Sequence, residues 1–181
     1  GKYLFLQLNS DKWIIFHFGM TGDIKYFKDL KNEPDHTRVL VQFDDGYFFA
    51  FDCQRLFGFV GITYSVTEYI SQKKLGKDAL VISKKEFLDK IKMRSGRIKP
   101  VLMKQHLLSG IGNIYADEIL FQSRIHPERK ISDISPKKLS VLFSNINSVL
   151  STAIDRRAQF KKYPSHFLIP QRIKNGVCPI S

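Results

Sequence analysis

The chain has few cysteines, no long apolar segment and a shortage of acidic side chains. Its two cysteines, Cys53 and Cys178, lie far apart and form no disulfide framework, which favours a reducing intracellular compartment. No apolar run approaches the length of a membrane span and no signal peptide is visible, so we expect no membrane partner. No His, Cys, Asp and Glu cluster has the spacing of metal ligands. We therefore expect no cofactor within these residues.

The shortage of acidic residues makes the protein strongly basic. Twenty-nine Lys and Arg against 17 Asp and Glu give a net charge of +12 over 181 residues. Such an excess favours a polyanionic partner, with DNA or RNA ahead of an anionic membrane, although many basic proteins bind neither. The apolar fraction of 43% and the charged fraction of 25% are ordinary for a globular protein. The length allows one large domain or two small ones.

Residues 1–62 carry the composition of β-structure. They are rich in β-branched and aromatic residues and are interrupted by short turns. Asp44-Asp45-Gly46 separates the apolar segments 39–43 and 47–51, which predicts a β-hairpin in which glycine supplies the positive φ. About five strands with many aromatic residues predict a partial antiparallel β-sandwich.

The second half of the chain changes to a helical period. Ser83 is placed to cap a helix that continues through Ile91, and Ser135-Pro136 opens a long helix with an apolar stripe. We therefore predict an α+β chain: an incomplete antiparallel β-sandwich in 1–62, an interdomain linker in 63–82, a helical domain in 83–158, and a basic tail in 159–181.

The segment 98–129 within the helical half is the most informative. Lys99 and Pro100 open one predicted helix, a glycine-containing turn follows, and Asn113 begins a second helix. The N-terminus of a helix has unpaired N–H groups and a positive dipole end, so it can bind an anion. In a basic protein, a nucleic-acid phosphate is the anion we expect. Asn113 fits a helix cap, a phosphate ligand, or both.

Three sequence strings in this segment resemble a known family. IKP, GIGNIYADE and IHPER are similar to the helix-two-turn-helix motif of the formamidopyrimidine-DNA glycosylase and endonuclease VIII family, which excises oxidised bases from DNA. An ordinary helical hairpin explains the glycines but not the whole string. The resemblance implies a monomer that binds duplex DNA with oxidised bases or abasic sites. It also implies location in the cytoplasm and nucleoid, or in the nucleus of a eukaryote.

The β region extends the resemblance to individual site residues. Lys2 lies in a strand similar to the one whose lysine contacts the phosphate beside the lesion. The string HFGMTG resembles the loop in which Met20 fills the gap left by a flipped base and His17 contacts the backbone. The string RLFG resembles the segment whose Arg55 pairs with the orphaned base and whose Phe57 wedges the stack. By the same resemblance, the helical half contributes Lys99, Asn113 and Tyr115 to DNA binding.

Each of these residues also has an ordinary interpretation. Met20 and Phe57 could be residues of a protein core. Arg55 could form a surface ion pair, and Lys2 could be a solvent-exposed lysine in a strand. The adjacent glycines favour exposed loop tips instead. The family usually has an acidic residue shortly before the arginine, whereas Cys53 and Gln54 stand directly before Arg55 in this chain.

The family's nucleophile is the amine of an N-terminal proline, which forms a Schiff base at the sugar C1′. This chain begins Gly1-Lys2, so we expect a piece of a longer bifunctional glycosylase and lyase. Cys178-Pro179 resembles the opening of the family's zinc finger, so zinc is expected only if the longer protein completes that finger. A non-catalytic nucleic-acid-binding module, built on the helical motif and the basic tail, is the alternative function.

Overall fold

The computed structural model describes residues 2–179. The chain forms two compact units, Lys2–Lys73 and the chain from Lys74 onward, named here the β unit and the helical unit. Antiparallel sheets in one unit and helices in the other confirm the predicted α+β class. None of the helices in the described residues has the length and apolar character that a membrane span requires.

The β unit consists of two three-stranded antiparallel sheets, one α-helix and a short 3-10 helix, Leu30–Asn32. The first sheet has the order β1-β2-β6, and the second has the order β3-β5-β4. The elements of the unit are β1 (Tyr3–Gln7), β2 (Trp13–His17), β3 (Asp23–Phe27), β4 (Thr37–Gln42), β5 (Phe48–Asp52), β6 (Phe59–Thr63) and α1 (Val66–Gln72).

Aromatic side chains join the two sheets into the predicted sandwich. Phe16 of β2 contacts Phe51 and Phe49 of β5, with ring centroids 5.8 and 5.4 Å apart. Cys53 is buried in the same cluster. The predicted hairpin is also confirmed, because Gly46 has a φ of +80° in the turn between β4 and β5. Aromatic and β-branched residues thus provide both the strand preference and the core contacts.

The helical unit packs its helices around one continuous apolar core. Ser83 accepts a hydrogen bond from Glu86 N–H and Ser135 accepts one from Lys138 N–H, so both predicted N-caps are confirmed. The elements of the unit are β7 (Lys77–Asp78), α2 (Lys84–Lys92), α3 (Ile98–Leu102), β8 (Leu108–Ser109), α4 (Asn113–Gln122) and α5 (Pro136–Asp155).

The structure adds secondary structure and burial to two of the predicted segments. Residues 63–82, predicted to be a linker, contain α1 and β7; Ser65 accepts a hydrogen bond from Glu68 N–H and so caps α1. The sequence predicts a basic tail in 159–181 from its loss of helical periodicity and its positive charge. Three large side chains of that tail, Tyr163, Phe167 and Ile169, are buried in the helical core, because burial of apolar surface lowers the free energy of the folded chain.

Candidate nucleic-acid interface

Two loops of the β unit lie against each other. One connects β2 to β3, and the other connects β5 to β6. Arg55 N–H in the second loop donates to Thr21 Oγ1 in the first, at 3.3 Å. A Cβ added to Gly19, which has a φ of +59°, would lie 2.5 Å from the backbone carbonyl atoms of Phe57. The close approach of the loops therefore requires glycine at this position.

The contact between the loops brings three of the predicted site residues together. Met20 is 73% exposed and Phe57 is 65% exposed, so neither is a core residue. Arg55 is also exposed, and within residues 2–179 no ion pair involving it is found. The two contacting loops therefore expose two apolar side chains and one guanidinium. Large exposed apolar groups on adjacent loops are typical of a binding surface.

Leu56 belongs to the same loop as Arg55 and Phe57, and the sequence predicts no role for it. It lies between Arg55 and Phe57, is 66% exposed, and has a φ of +58°. No pattern in the sequence predicts this conformation, because a leucine seldom adopts a positive φ.

His17 lies in β2 at the entrance to the first loop. Its Nδ1 accepts a hydrogen bond from Gly19 N–H at 3.2 Å, so the neutral ring carries its proton on Nε2. Partial burial, and then the positive charge of Lys2, lower the pKa of His17 below its ordinary value of 6.5. The imidazole is consequently neutral near pH 7, and the exposed Lys2 supplies a positive charge in the same region.

The helical unit places Asn113 at the first position of α4. Gly112 is the N-cap residue, and no side chain donates to or accepts from that cap. Asn113 is therefore not the helix cap, which was one of its two interpretations. Its exposed side chain lies beside the unpaired N–H groups of the first helical turn. This end of α4 has the chemistry of an anion site.

Tyr115 and Lys99 are both held by partners within the helical unit. The Tyr115 and Tyr163 hydroxyl groups lie 3.1 Å apart. Burial and this hydrogen bond raise the pKa of Tyr163. The Lys99 ammonium lies 2.6 Å from Asp117 Oδ1, and Arg172 lies 3.3 Å from the other oxygen of the same carboxylate. Both predicted site residues are thus positioned by partners on α4 or in the tail.

Glu118 is a buried carboxylate in α4 for which the sequence predicts no role. It is 0% exposed and accepts hydrogen bonds from the backbone N–H groups of Leu168 and Ile169, at 3.1 and 2.7 Å. Gln122 donates to it as well, at 2.8 Å. Three donors compensate for the burial of its charge. Glu118 therefore fastens the tail to α4.

The zinc site that the family resemblance implies stays a prediction, because it requires ligands in addition to Cys178. No group of three or more His, Cys, Asp and Glu in residues 2–179 could hold a metal ion. Cys178 is exposed and has no such group around it.

Two family models match this chain, one for each unit. The model for the formamidopyrimidine-DNA glycosylase H2TH domain, the helix-two-turn-helix domain, matches residues 75–164. The chain is thus a helix-two-turn-helix protein. The model for the formamidopyrimidine-DNA glycosylase N-terminal domain matches residues 1–60. Since both models belong to one family and together span most of the sequence, the chain belongs to the formamidopyrimidine-DNA glycosylase family.

Curated relatives agree with this assignment. A formamidopyrimidine-DNA glycosylase of Arabidopsis thaliana is 33% identical over 96% of this chain and 48% of its own length. One from Listeria innocua is 33% identical over 85% of this chain and 58% of its own length. One from Desulforamulus reducens is 36% identical over 90% of this chain and 61% of its own length. The chain therefore spans roughly half to three fifths of the relatives it matches.

Two solved structures with the same fold are complexes with DNA. The Lactococcus lactis enzyme bound to DNA containing an abasic site has a TM-score of 0.79 and 29% identity, over 86% of this chain and 58% of that chain. The same enzyme bound to DNA containing N7-benzyl-Fapy-dG has a TM-score of 0.80 and 28% identity, over 86% of this chain and 59% of that chain.

Proposed function

We propose that this chain supplies the DNA-binding and lesion-probing parts of a base-excision repair enzyme. The complete protein would remove oxidised bases, either formamidopyrimidine and 8-oxoguanine or oxidised pyrimidines, and would nick the abasic site by β-elimination. The catalytic activity is itself part of the proposal, since this chain spans only part of the length of the relatives that carry the glycosylase name. Such a protein acts as a monomer in the compartment that contains the DNA.

The observation that carries the proposal is the contact between the two loops of the β unit. An enzyme that acts on a base in duplex DNA must extrude the nucleotide, which leaves a hole in the stack. The flexible Met20 and the flat ring of Phe57 are suitable fillers for such a hole. The guanidinium of Arg55 can donate hydrogen bonds to the base that has lost its partner. All three are exposed, and the packing of Gly19 against Phe57 holds their loops together.

Phosphate contacts complete the proposed interface in both units. In the β unit, the ammonium of Lys2 and the Nε2–H of a neutral His17 can each donate to a phosphate oxygen. In the helical unit, Asn113 and the first turn of α4 provide amide donors, and the Tyr115 hydroxyl provides a further polar group. Lys99, paired with Asp117, is assigned to the lesion pocket by the family resemblance.

The relatives support DNA containing a lesion as the partner. The Lactococcus lactis enzyme has been solved with DNA that contains an abasic site and with DNA that contains Fapy-dG. The net charge of +12 suits a polyanionic partner. We extend this partner class to the present chain.

Titration of this chain with two fluorescent duplexes tests the proposal. One duplex carries a single abasic site, and its control is the intact duplex of the same sequence. We expect tighter binding to the abasic duplex, and a plot of log affinity against log salt with a slope of roughly −4, as neutralisation of several phosphates requires. Equal affinity for both duplexes would instead support the non-catalytic binding module.

Borohydride trapping on the abasic duplex separates binding from chemistry. A covalent adduct would assign lyase chemistry to an amine of this chain, with Lys2 and Lys99 as the first candidates for substitution. Specific binding without an adduct would assign this chain the probing role alone and leave the nucleophile to the remainder of the complete protein.

A further inference from the structure

We propose that Leu56 is a lesion-probing residue whose side chain enters the base stack beside Phe57 when DNA is bound. The inference rests on the proposed function and adds Leu56, to which the family resemblance assigns no role, to the side chains that enter the base stack. The ligand is the apolar face of the bases that flank an extruded nucleotide.

Two unfavourable features coincide at Leu56. Its side chain is 66% exposed, so the apolar surface gains nothing from the protein core. Its φ of +58° is in the left-handed region, where the Cβ of a leucine crowds the backbone. Strain of this kind persists where the surroundings impose it, and it is concentrated at binding and active sites. The exposure and the backbone strain of Leu56 together therefore indicate that this side chain contacts a binding partner rather than the protein core.

The other non-glycine residues with positive φ have a different character. In the described part of the chain they are polar, charged or small: Lys74, Arg124, Arg157, Ala158 and Asn175. Several of them close helices. Ile125 N–H bonds to the carbonyl of Leu120, and Ala158 N–H bonds to that of Ala153, so Arg124 and the pair 157–158 occupy ordinary helix C-terminal turns. Leu56 lies between two strands, where no helix end accounts for its conformation.

The surroundings of Leu56 suit insertion into DNA. Arg55 and Phe57 precede and follow it in the loop, and Met20 belongs to the loop that contacts Phe57. Proteins that kink DNA insert side chains such as leucine, phenylalanine and methionine between base steps. Met20, Leu56 and Phe57 would form one apolar surface. Burial of the Leu56 side chain against bases would remove apolar surface from water and so favour binding.

Substitution of Leu56 separates a probing role from a structural one. Leu56→Gly removes the side chain and relieves the strain, so we expect an unchanged or higher melting temperature but about ten-fold weaker binding to the abasic duplex. Leu56→Ala should lose the same affinity without the gain in stability, and Leu56→Met should retain most of the affinity. Ala158→Gly is the matched control: it relieves a positive φ of +53° elsewhere and should leave DNA binding unchanged.

A second readout places the side chain in the stack. 2-Aminopurine beside the abasic site changes its fluorescence when its neighbour is unstacked or replaced, and we expect Leu56→Gly to reduce that change. Met20→Ala and Phe57→Ala are tested in parallel. If these two lose lesion preference while Leu56→Gly keeps both its affinity and its fluorescence signal, the role of Leu56 is wrong and the proposed function stands. If none of the three variants loses preference, the lesion-probing function itself is contradicted.

Discussion

At the scale of single residues, the conformation of the loop between β2 and β3 depends on Gly19 and His17. Gly19 combines a positive φ with contact against the backbone of Phe57, so it sets the distance between the two loops. His17 accepts the Gly19 N–H and thereby couples its own tautomer to the shape of the loop. Neither residue needs to touch a base to affect how the apolar side chains are presented.

Gly19→Ala should separate the loops. The substitution adds a methyl group where there is no room and forces alanine into a left-handed conformation, so we expect a loss of about 2–3 kcal/mol of stability and of lesion preference. Urea unfolding followed by the fluorescence of Trp13, the single tryptophan, reports on the β unit. Gly46→Ala is the control, because Gly46 also has a positive φ but faces open space. It should cost about 1 kcal/mol and leave lesion preference intact. Equal effects of the two substitutions on preference would refute the spacing role of Gly19.

The lowered pKa of His17 predicts a pH dependence of stability. Between the pKa of the folded protein and the ordinary value of 6.5, the unfolded chain binds more protons than the folded chain. The free energy of unfolding should therefore fall as the pH decreases from 7 through this interval and level off below the folded pKa. Trp13 fluorescence in urea at several pH values measures it, and His17→Gln should remove this contribution. A wild-type curve that matches the variant across the interval would contradict the protonation state assigned to His17.

At the scale of elements, α4 organises the helical unit. Its first turn contains Asn113, the proposed phosphate ligand, while Tyr115, Asp117 and Glu118 contact residues of the tail. The tail segment that contains Tyr163, Phe167 and Ile169 is therefore part of the folded core rather than a free basic extension. Because one helix carries both sets of contacts, damage to the tail should also disturb the proposed phosphate site.

Replacement of Glu118 should release the tail. Glu118→Gln leaves one amide nitrogen facing a backbone N–H donor, and Glu118→Ala leaves both backbone N–H donors, those of Leu168 and Ile169, unpaired. We therefore expect losses of about 2 and 3 kcal/mol or more. Urea unfolding followed by far-UV circular dichroism measures the helical unit. Glu128→Gln is the control, since Glu128 forms only an exposed ion pair with Arg97 and should cost less than about 1 kcal/mol. Similar losses for Glu118→Gln and Glu128→Gln would show that the buried hydrogen bonds contribute little.

The sequence predicted the elements whose signals are local. The caps at Ser83 and Ser135 and the turn at Gly46 depend on neighbouring residues, and all three are present. The sequence did not predict α1, although Ser65 and Glu68 form a recognisable helix cap. It also did not predict β6 as a separate strand, because Gly61 within β6 weakens the strand pattern. Short helices and strands of mixed composition carry little periodicity.

The candidate site was predicted only in part for a related reason. Met20, Arg55 and Phe57 were identified from strings that resemble a family, and each string is contiguous in the sequence. The buried hydrogen bonds of Glu118 to residues about 50 positions away have no local pattern. The positive φ of Leu56 likewise arises from the loop as a whole. Long-range contacts and backbone strain therefore had to come from the structure.

At the scale of the whole molecule, each unit carries one part of the proposed interface. The β unit contains the two loops proposed to probe the lesion, and the helical unit contains the proposed anion site at the start of α4. The net charge of +12 gives both a general attraction to DNA, which does not distinguish damaged from intact duplex. Under the proposed function, preference for a lesion arises from the exposed side chains of the two loops.

The most direct test of the account is the lesion preference of a variant with Met20, Arg55 and Phe57 all replaced by alanine. The measurement is the ratio of affinities for abasic and intact duplexes at one salt concentration, beside the unsubstituted chain. The account predicts that the ratio falls to about one, while binding to intact duplex changes only as the loss of one positive charge requires. A ratio unchanged by the three substitutions would contradict the central claim that these loops probe for the lesion.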